Sequence, residues 1–321
     1  MINRFKFAVL GSSLMAGFRG GRRPETGGGQ GVIGRNARLR LLRLILVLGT
    51  IGGLAASGTA LATDITACGT VIKKPGFYAV TQDLTASQGD CIDVSAARTI
   101  VFLGGHQIKG AGSGVGVKLL APAKFSFIEG GNSTISGFGI GIEDDASNAR
   151  GDNFNANANT TGGVLVNGAQ SSTFSNFQAS SNGSFGVHFV LGANSVAEST
   201  QASSNGGYGI WLDGAKGVRI DNFDTEQNTL AGVYIGCASN GPGGSCPAHN
   251  RIASANQIYD GFADGNGPYG IAIDASASAN IVTSVESMNN KTADMIDLSK
   301  CGNDSWFGNA FANANPSNCI N

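Results

Sequence analysis

The chain has 321 residues, of which 50 are glycine, 7 are proline and 13% are charged. So much glycine does not fit an ordinary helical globule, and the absence of a Gly-X-Y period excludes collagen. Apolar residues make up 41%, too many for a disordered chain. They come in short bursts separated by Ser, Asn and Gly, a pattern that indicates many short strands.

The N-terminal 62 residues are predicted not to belong to the folded protein. Residues 38–62 contain arginines, then a continuous run of apolar and small residues over 44–56, and end on Ala-Leu-Ala. This order predicts a signal peptide cleaved after Ala62. The apolar run is Gly-rich and shorter than the roughly 20 residues of a membrane span, so we expect no stable span after cleavage. Residues 1–37 are interpreted as a disordered or misassigned extension, and the protein is expected to be secreted, periplasmic or in the cell envelope.

Charge excludes one class of partner. After cleavage, 12 basic side chains face 21 acidic ones, a net charge of −9. A surface of this sign repels phosphate backbones and offers no cluster of Lys and Arg to displace their counterions. Nucleic acid is therefore not expected as a partner. The sequence carries no signal for a particular oligomeric state.

All six cysteines follow the predicted cleavage site. An even number of cysteines in an exported chain predicts disulfides. The cysteines fall into three local pairs, and no spacing typical of a metal site occurs, so no metal is expected at them. The predicted disulfides are Cys68–Cys91, Cys237–Cys246 and Cys301–Cys319.

A Gly-apolar-x-apolar motif recurs along the chain. From the first apolar residue of each copy, the spacings are 25, 24, 23, 23, 23, 38 and 25 residues. The period is therefore about 23 residues, with one insertion of about 15. A unit this short cannot bury its apolar face alone, whereas stacked units make one continuous core with strands about 4.8 Å apart. The copies begin at Gly114, Gly139, Gly163, Gly186, Gly209, Gly232 and Gly270, with a degenerate copy at Met295.

Identical motifs at one coil length, with no hairpin signals between them, predict parallel pairing in an all-β solenoid. An asparagine stands five residues before the apolar anchor of five coils, and such a column is typical of a hydrogen-bonded ladder in stacked β-structure. The ladder is predicted at Asn159, Asn182, Asn205, Asn228 and Asn266.

The open ends of a solenoid need caps. We assign residues 63–113 to an N-terminal cap and first coil, and residues 114–300 to the β-helix coils, with the insertion at 237–248. Residues 301–321 form the C-terminal cap, in which Trp306, Phe307 and Phe311 are expected to close the last coil.

Three stretches of sequence carry a family resemblance. The opening CGTVIKKPGFYAVTQDLTASQGDCIDV, the phrase FLGGHQIKGAGSGVGV and the closing WFGNAF…NCI resemble the bacterial secreted right-handed parallel β-helix repeat proteins of the pectate-lyase-like superfamily. The resemblance covers residues 68–321. It implies a right-handed parallel β-helix and leaves the activity open, because this superfamily holds polysaccharide lyases, glycosidases, epimerases and adhesins.

The residue between the two apolar anchors of each coil points outward. We expect His188, Trp211 and Tyr234 to form an exposed stripe whose ring faces bind sugars. The alternative is an aromatic ladder that only stabilises the sheet. A sugar platform predicts that Trp211→Ala abolishes affinity and leaves the melting temperature nearly unchanged, and a ladder predicts the reverse. The full column is expected to be Gly116, Gly141, Leu165, His188, Trp211, Tyr234, Ala272 and Asp297.

A second outward column supplies candidate catalytic acids. Asp213 and Asp274 are expected two coils apart, about 9.6 Å at the backbone, near the upper limit for the carboxylates of an inverting glycosidase. Solvated surface acids are the alternative. The run Glu143-Asp144-Asp145 could bind Ca²⁺, and otherwise no cofactor is expected. This column is expected to be Lys118, Glu143, Asn167, Val190, Asp213, Gly236, Asp274 and Ser299.

Together these features predict a protein that binds an extended polysaccharide along one face of the solenoid, without an identifiable catalytic motif. One alternative is an enzyme, either a polysaccharide lyase or an inverting glycoside hydrolase. The other is a structural protein of the cell envelope.

Overall fold

The structure is a computed structural model that describes residues 62–237, 252–299, 302–316 and 318–321. The predicted extension and almost all of the predicted signal peptide lie outside the described residues, as does most of the predicted insertion. In the described parts the chain forms strands and no helix. No described helix is therefore long and apolar enough to cross a membrane.

The strands are short and follow one another without long connections. The N-terminal strands are β1 (Thr63–Ile65), β2 (Thr70–Ile72), β3 (Phe77–Val80), β4 (Leu84–Thr85), β5 (Ile92–Val94), β6 (Ile100–Phe102), β7 (Gln107–Lys109), β8 (Val115–Leu119) and β9 (Phe127–Ser136). The central strands are β10 (Ile140–Asp144), β11 (Arg150–Ala156), β12 (Gly162–Asn167), β13 (Thr173–Gln178), β14 (Phe185–Val190), β15 (Val196–Gln201), β16 (Tyr208–Asp213), β17 (Arg219–Asp224) and β18 (Ala231–Ile235). The C-terminal strands are β19 (Gln257–Phe262), β20 (Tyr269–Ile273), β21 (Ile281–Ser287), β22 (Ala293–Asp297), β23 (Ser305–Phe307), β24 (Ala310–Phe311) and β25 (Ala314–Asn315).

These strands form two parallel sheets. Sheet A follows the order β1-β3-β6-β9-β11-β13-β15-β17-β19-β21-β23, with β4, β7 and β24 paired at its side. Sheet B follows β2-β5-β8-β10-β12-β14-β16-β18-β20-β22-β25. Each strand pairs in parallel with a strand one coil away, as in Val187↔Ile210↔Val233. The predicted right-handed parallel β-helix is confirmed, with about 10 coils of roughly 23 residues.

The core lies between the two sheets. Inward-facing residues such as Phe174, Phe223 and Ile258 from sheet A and Val187 and Ile210 from sheet B are fully buried or nearly so. Sheet A alternates buried and more exposed positions, as a sheet with one solvated face should. Sheet B differs, because its strands from β14 to β22 are almost entirely buried on both faces.

The asparagine ladder is confirmed. The Asn205 side-chain amide donates to Oδ1 of Asn228 over 2.9 Å, and Oδ1 of Asn205 accepts hydrogen bonds from the backbone and side chain of Asn182. The same pattern links Asn159 to Asn182 and Asn228 to Asn266. A second ladder, which the sequence analysis missed, runs through Asn256, Asn280 and Asp304 at another turn of the coil. Both ladders give buried polar groups partners in the adjacent coils.

We expect Asn205→Ala to lower the free energy of unfolding by about 1–3 kcal/mol, because the buried donors of Asn182 lose their acceptor. Chemical denaturation measures the change. Asn303→Ala, the same substitution at an exposed position, serves as the control and should change stability by less than about 0.5 kcal/mol. Equal effects at the two positions would show that the ladder contributes nothing specific.

The disulfide Cys68–Cys91 is confirmed, and its two cysteines have a sequence separation of 23. Cys237 and Cys319 are also disulfide-bonded, and their expected partners, Cys246 and Cys301, lie outside the described residues. Disulfides persist in oxidising compartments, so the observed bond is compatible with an extracellular or envelope location.

The two ends of the solenoid extend both sheets. Residues 63–113 already form coils, since β1, β3 and β6 pair with one another in sheet A and β2, β5 and β8 in sheet B. At the other end, Trp306 is buried and Phe311 packs against the core. The expectation for Phe307 is wrong, because its side chain is 51% exposed on the outer face of sheet A.

Sheet A has a regular bend that the motif search did not detect. At the same place in seven successive coils, one residue of this sheet adopts a left-handed conformation, with φ between 46° and 66°, and is left out of the strand pairing. A left-handed residue interrupts the extended backbone and bends the strand at that point. Asn, Asp, Ser and Gly tolerate this conformation best or form local turns. The column consists of Asn153, Asn176, Ser199, Asn222, Asp260, Ser284 and Gly308.

Candidate functional site

The observed strand register corrects the outward columns predicted on sheet B. In the first two coils the inner anchor is the second apolar residue of the motif, Val117 or Ile142, which pairs along the sheet with Val164. Lys118 and Glu143 therefore belong to the column of Trp211, and Gly116 and Gly141 do not. At the C-terminal end Ile296 pairs with Ala272 and replaces Asp297 in this column. The observed column is Lys118, Glu143, Leu165, His188, Trp211, Tyr234, Ala272 and Ile296.

His188, Trp211 and Tyr234 lie on consecutive strands, as predicted, but their rings pack against one another. The rings of His188 and Trp211 are stacked at 3.9 Å with an angle of 3° between their planes. Tyr208, on the same face, stacks on Tyr234 at 5.0 Å. Nε1 of Trp211 donates a hydrogen bond to the carbonyl oxygen of Gly236 over 2.7 Å. The ring faces are thus occupied by neighbouring rings.

The expectation that this stripe is exposed is wrong. His188 and Trp211 are each 8% exposed and Tyr234 is fully buried. Trp211 and Tyr234 belong, with Ala231, Ala272 and other side chains, to a second hydrophobic cluster, separate from the core between the sheets. Stacking of side chains along the solenoid axis uses the ring faces, which a sugar platform would have to present to solvent. The geometry therefore favours the aromatic-ladder alternative.

Asp213 and Asp274 lie two strands apart in one column, with Gly236 between them, as predicted. Both are buried, at 2% and 5% exposure. Asp274 accepts a hydrogen bond from the Tyr234 hydroxyl over 2.6 Å, and Oδ2 of Asp213 lies 3.7 Å from Nε2 of His188. A side chain added at Gly236 would meet the Tyr234 hydroxyl and Cβ of Asp274. The space over Gly236 is filled, and it lacks the room for water and a sugar that an inverting pair needs.

The three acids at 143–145 do not converge on one site. Glu143 and Asp145 face outward, where the Lys118 ammonium lies 3.0 Å and 3.7 Å from their carboxylates. Asp144 points into the core, in the column of Leu119 and Val166. Burial raises the pKa of Asp144 to about 7, while hydrogen bonds from Ser172 and the Ala146 amide oppose the rise. Within the described part of the chain no group of three His, Cys, Asp or Glu side chains could hold a metal ion.

The outer face of sheet A carries an open groove of about 450 Å³. It follows the column of left-handed residues across β17, β19, β21 and the β23–β24 turn. Three steps between strands give it a length of about 14 Å. Its lining residues are Asn222, Asp260, Gly261, Phe262, Ser284, Val285, Glu286, Gly308 and Ala310.

Exposed rings and acids meet at this groove. Phe262 lines it and is 50% exposed, and Phe307 is 51% exposed on the neighbouring Tyr259–Thr283–Phe307 column. Phe262 stands between Asp224 on β17 and Glu286 on β21. Burial, and after it the nearby carboxylates of Glu226 and Asp264, raises the pKa of Asp224 to about 6. The groove thus offers apolar ring faces beside hydrogen-bonding carboxylates and an amide.

The sequence analysis missed this groove, although a signal for it exists. The left-handed positions from Asn153 to Gly308 recur at spacings of 23, 23, 23, 38, 24 and 24 residues, with the same insertion as the apolar motif. A column of Asn, Asp, Ser and Gly within strands indicates left-handed residues at these positions. The apolar motif on which the predicted stripe rests lies in sheet B, whereas these left-handed positions lie in sheet A.

Comparison with known proteins agrees with the observed fold. The family model described as "Right handed beta helix region" matches residues 125–284. Among curated proteins, none matches the chain.

Two solved structures are similar in fold. The Dettilon tailspike protein superposes with a TM-score of 0.55 at 14% identity, covering 78% of this chain and 51% of its own. The A-module of a mannuronan C-5 epimerase from Azotobacter vinelandii superposes with a TM-score of 0.50 at 14% identity, covering 85% and 71% respectively. This chain spans about half the length of the tailspike protein. At such identities the likeness shows the fold alone.

Proposed function

We propose that this chain, which belongs to the right-handed parallel β-helix proteins, binds an extended polysaccharide along the outer face of sheet A. The observation that carries the proposal is the open groove beside Phe262, on a face whose other side chains are mostly polar. Sugars present apolar ring faces and a rim of hydroxyl groups. An aromatic ring such as that of Phe262 can stack on the apolar faces. The carboxylates of Asp260 and Glu286 and the amide of Asn222 can form hydrogen bonds with the hydroxyl groups.

The direction of the groove supports a long ligand. It crosses four successive positions along the solenoid axis, so the same kinds of side chain recur every 4.8 Å or so. A polymer of repeating sugars meets repeating contacts on such a surface. The epimerase A-module, a protein of the same fold, acts on mannuronan according to its name, which agrees with a polysaccharide as the partner of such a solenoid.

The test is a binding screen against neutral, acidic and amine-bearing polysaccharides. We expect at least one to bind, and Phe262→Ala to weaken that binding about 2- to 10-fold, the worth of one ring contact. Phe77→Ala is the matched control, because Phe77 is an exposed phenylalanine at the other end of sheet A and its loss should leave affinity unchanged. Failure of every polysaccharide to bind at millimolar repeat-unit concentration would refute the proposal and favour a structural role.

The enzymatic alternative is tested in the same screen. New reducing ends indicate a glycoside hydrolase, and unsaturated products indicate a lyase. Asp213 and Asp274 remain the sequence-based catalytic candidates, so Asp213→Asn should abolish any turnover that depends on them. Turnover that survives Asp213→Asn would exclude this pair.

A further inference from the structure

The charges around the groove on sheet A indicate which kind of polysaccharide it accepts. Asp260 and Glu286 line the groove. Asp224 lies on the other side of Phe262, in the same column as Glu286. With Asp221 on β17, four carboxylates therefore lie on the three strands β17, β19 and β21 that the groove crosses.

Positive charge is nearly absent from the same strands. Arg219 is the one Lys or Arg in β17, β19 and β21, all of which the structure describes. Its guanidinium is 2.6 Å from the Asp221 carboxylate and lies over the Tyr259 ring at 5.4 Å. Arg219 is thus already engaged by an acid and a ring. The groove presents a negative field to any ligand that lies along it.

Phe262 lies between two of these carboxylates. The ring is flanked by Asp224 on the strand before and Glu286 on the strand after, each about 4.8 Å away along the sheet. A sugar stacked on the ring has its substituents within reach of both carboxylates. Burial, and after it the charges of neighbouring acids, raises the pKa of Asp224 to about 6 and raises the pKa of Asp264. A cationic substituent on the sugar would relieve the repulsion between these neighbouring carboxylates. A carboxylate on the sugar would add to that repulsion.

We infer that the groove selects amine-bearing polysaccharides, such as polymers of glucosamine, over neutral ones and over polyuronates. This inference rests on the proposed function. Stacking on Phe262 supplies an affinity common to all three classes, and the ammonium groups of an amino sugar add ion pairs with Asp224 and Glu286. The carboxylates of a polyuronate are repelled by the same two side chains.

The test compares three oligosaccharides of equal length: a glucosamine hexamer, its fully N-acetylated form and a galacturonate hexamer. Binding to the whole protein is measured by calorimetry at low and high salt, at a pH where the amines are protonated. We expect the glucosamine hexamer to bind about 3- to 30-fold more tightly than the N-acetylated form at low salt, the worth of a few exposed ion pairs. High salt should shrink this preference.

Matched variants test whether the preference for the glucosamine hexamer arises in the groove. Glu286→Gln should lower the affinity for the glucosamine hexamer about 3-fold and leave that for the N-acetylated form unchanged. Glu198→Gln makes the same charge change on β15 of sheet A, outside the groove lining, and should alter neither. Equal affinity for the first two hexamers, or tighter binding of the galacturonate hexamer, would overturn the inference and leave polysaccharide binding intact. If none of the three oligosaccharides and no polysaccharide in the wider screen bound, both the inference and the proposed function would be overturned.

Discussion

Replacement of Trp211 by alanine is expected to lower the free energy of unfolding by about 3–5 kcal/mol, the scale of a truncated buried aromatic residue. The side chain is 8% exposed, stacks on His188 at 3.9 Å and contacts the ring of Tyr208. The substitution also leaves the carbonyl oxygen of Gly236 without the indole donor. Denaturant unfolding measures the loss.

Two variants separate the causes of this effect. Trp211→Phe keeps a ring in the stack and loses the indole N–H, so we expect a smaller cost of about 1–2 kcal/mol. Phe262→Ala truncates a half-exposed ring and should cost less than about 1 kcal/mol. A loss below about 1 kcal/mol for Trp211→Ala would contradict the packed ladder. Where the variant stays folded, its affinity for a polysaccharide should match that of the wild type, because the groove lies on the other sheet.

Asp144→Asn is expected to stabilise the protein by roughly 4 kcal/mol at pH 8 and to have little effect near pH 4. Asp144 is fully buried among apolar neighbours, and this burial raises its pKa from 3.8 to about 7. Between these two values the folded state holds a proton that the unfolded state has released. The stability contributed by the protonated form is therefore complete below about pH 4 and is lost as the pH rises to about 7.

Asparagine removes this titration and keeps an oxygen that can accept the hydrogen bond of the Ala146 amide. Unfolding measured from pH 4 to pH 8 should show a wild-type stability that falls relative to the variant. Asp145→Asn, the same change at the adjacent outward-facing residue beside Lys118, should not produce this divergence. Parallel pH profiles for the wild type and Asp144→Asn would show that Asp144 does not titrate in this range.

The fold could be predicted from the sequence because each coil repeats the same requirements. A buried anchor such as Ile210 and a ladder residue such as Asn205 must recur at one coil length for the strands and amides to align. The disulfide Cys68–Cys91 follows the same logic, since 23 residues place the two cysteines one coil apart.

The column assignments failed where the motif is ambiguous. Gly114-Val115-Gly116-Val117 contains two glycines and two valines at alternate places, so either valine can be the inner anchor. Only the pairing of Val117 with Ile142 decides between them. A shift of two residues keeps every side chain on its face and moves it to another column, which is why Lys118 and Glu143 were misplaced.

The aromatic stripe was wrongly expected to be a binding surface, because a side chain that points away from the core was taken to be exposed to solvent. The Trp211 column does point away from the core, yet its side chains stack along the axis and are buried in a second cluster. Alternation of a strand specifies the face on which a residue lies, and exposure depends on what packs there. Phe307 shows the opposite error, since its apolar character predicted burial and it is half exposed.

The central claim, that the polysaccharide lies on sheet A, is tested most directly by a crystal structure of the protein with the tightest-binding oligosaccharide. We predict a sugar ring stacked on Phe262, with the chain running along the column of Asn222, Asp260 and Ser284. An oligosaccharide bound against sheet B, beside Trp211 and Asp213 and with the aromatic ladder opened, would contradict the claim.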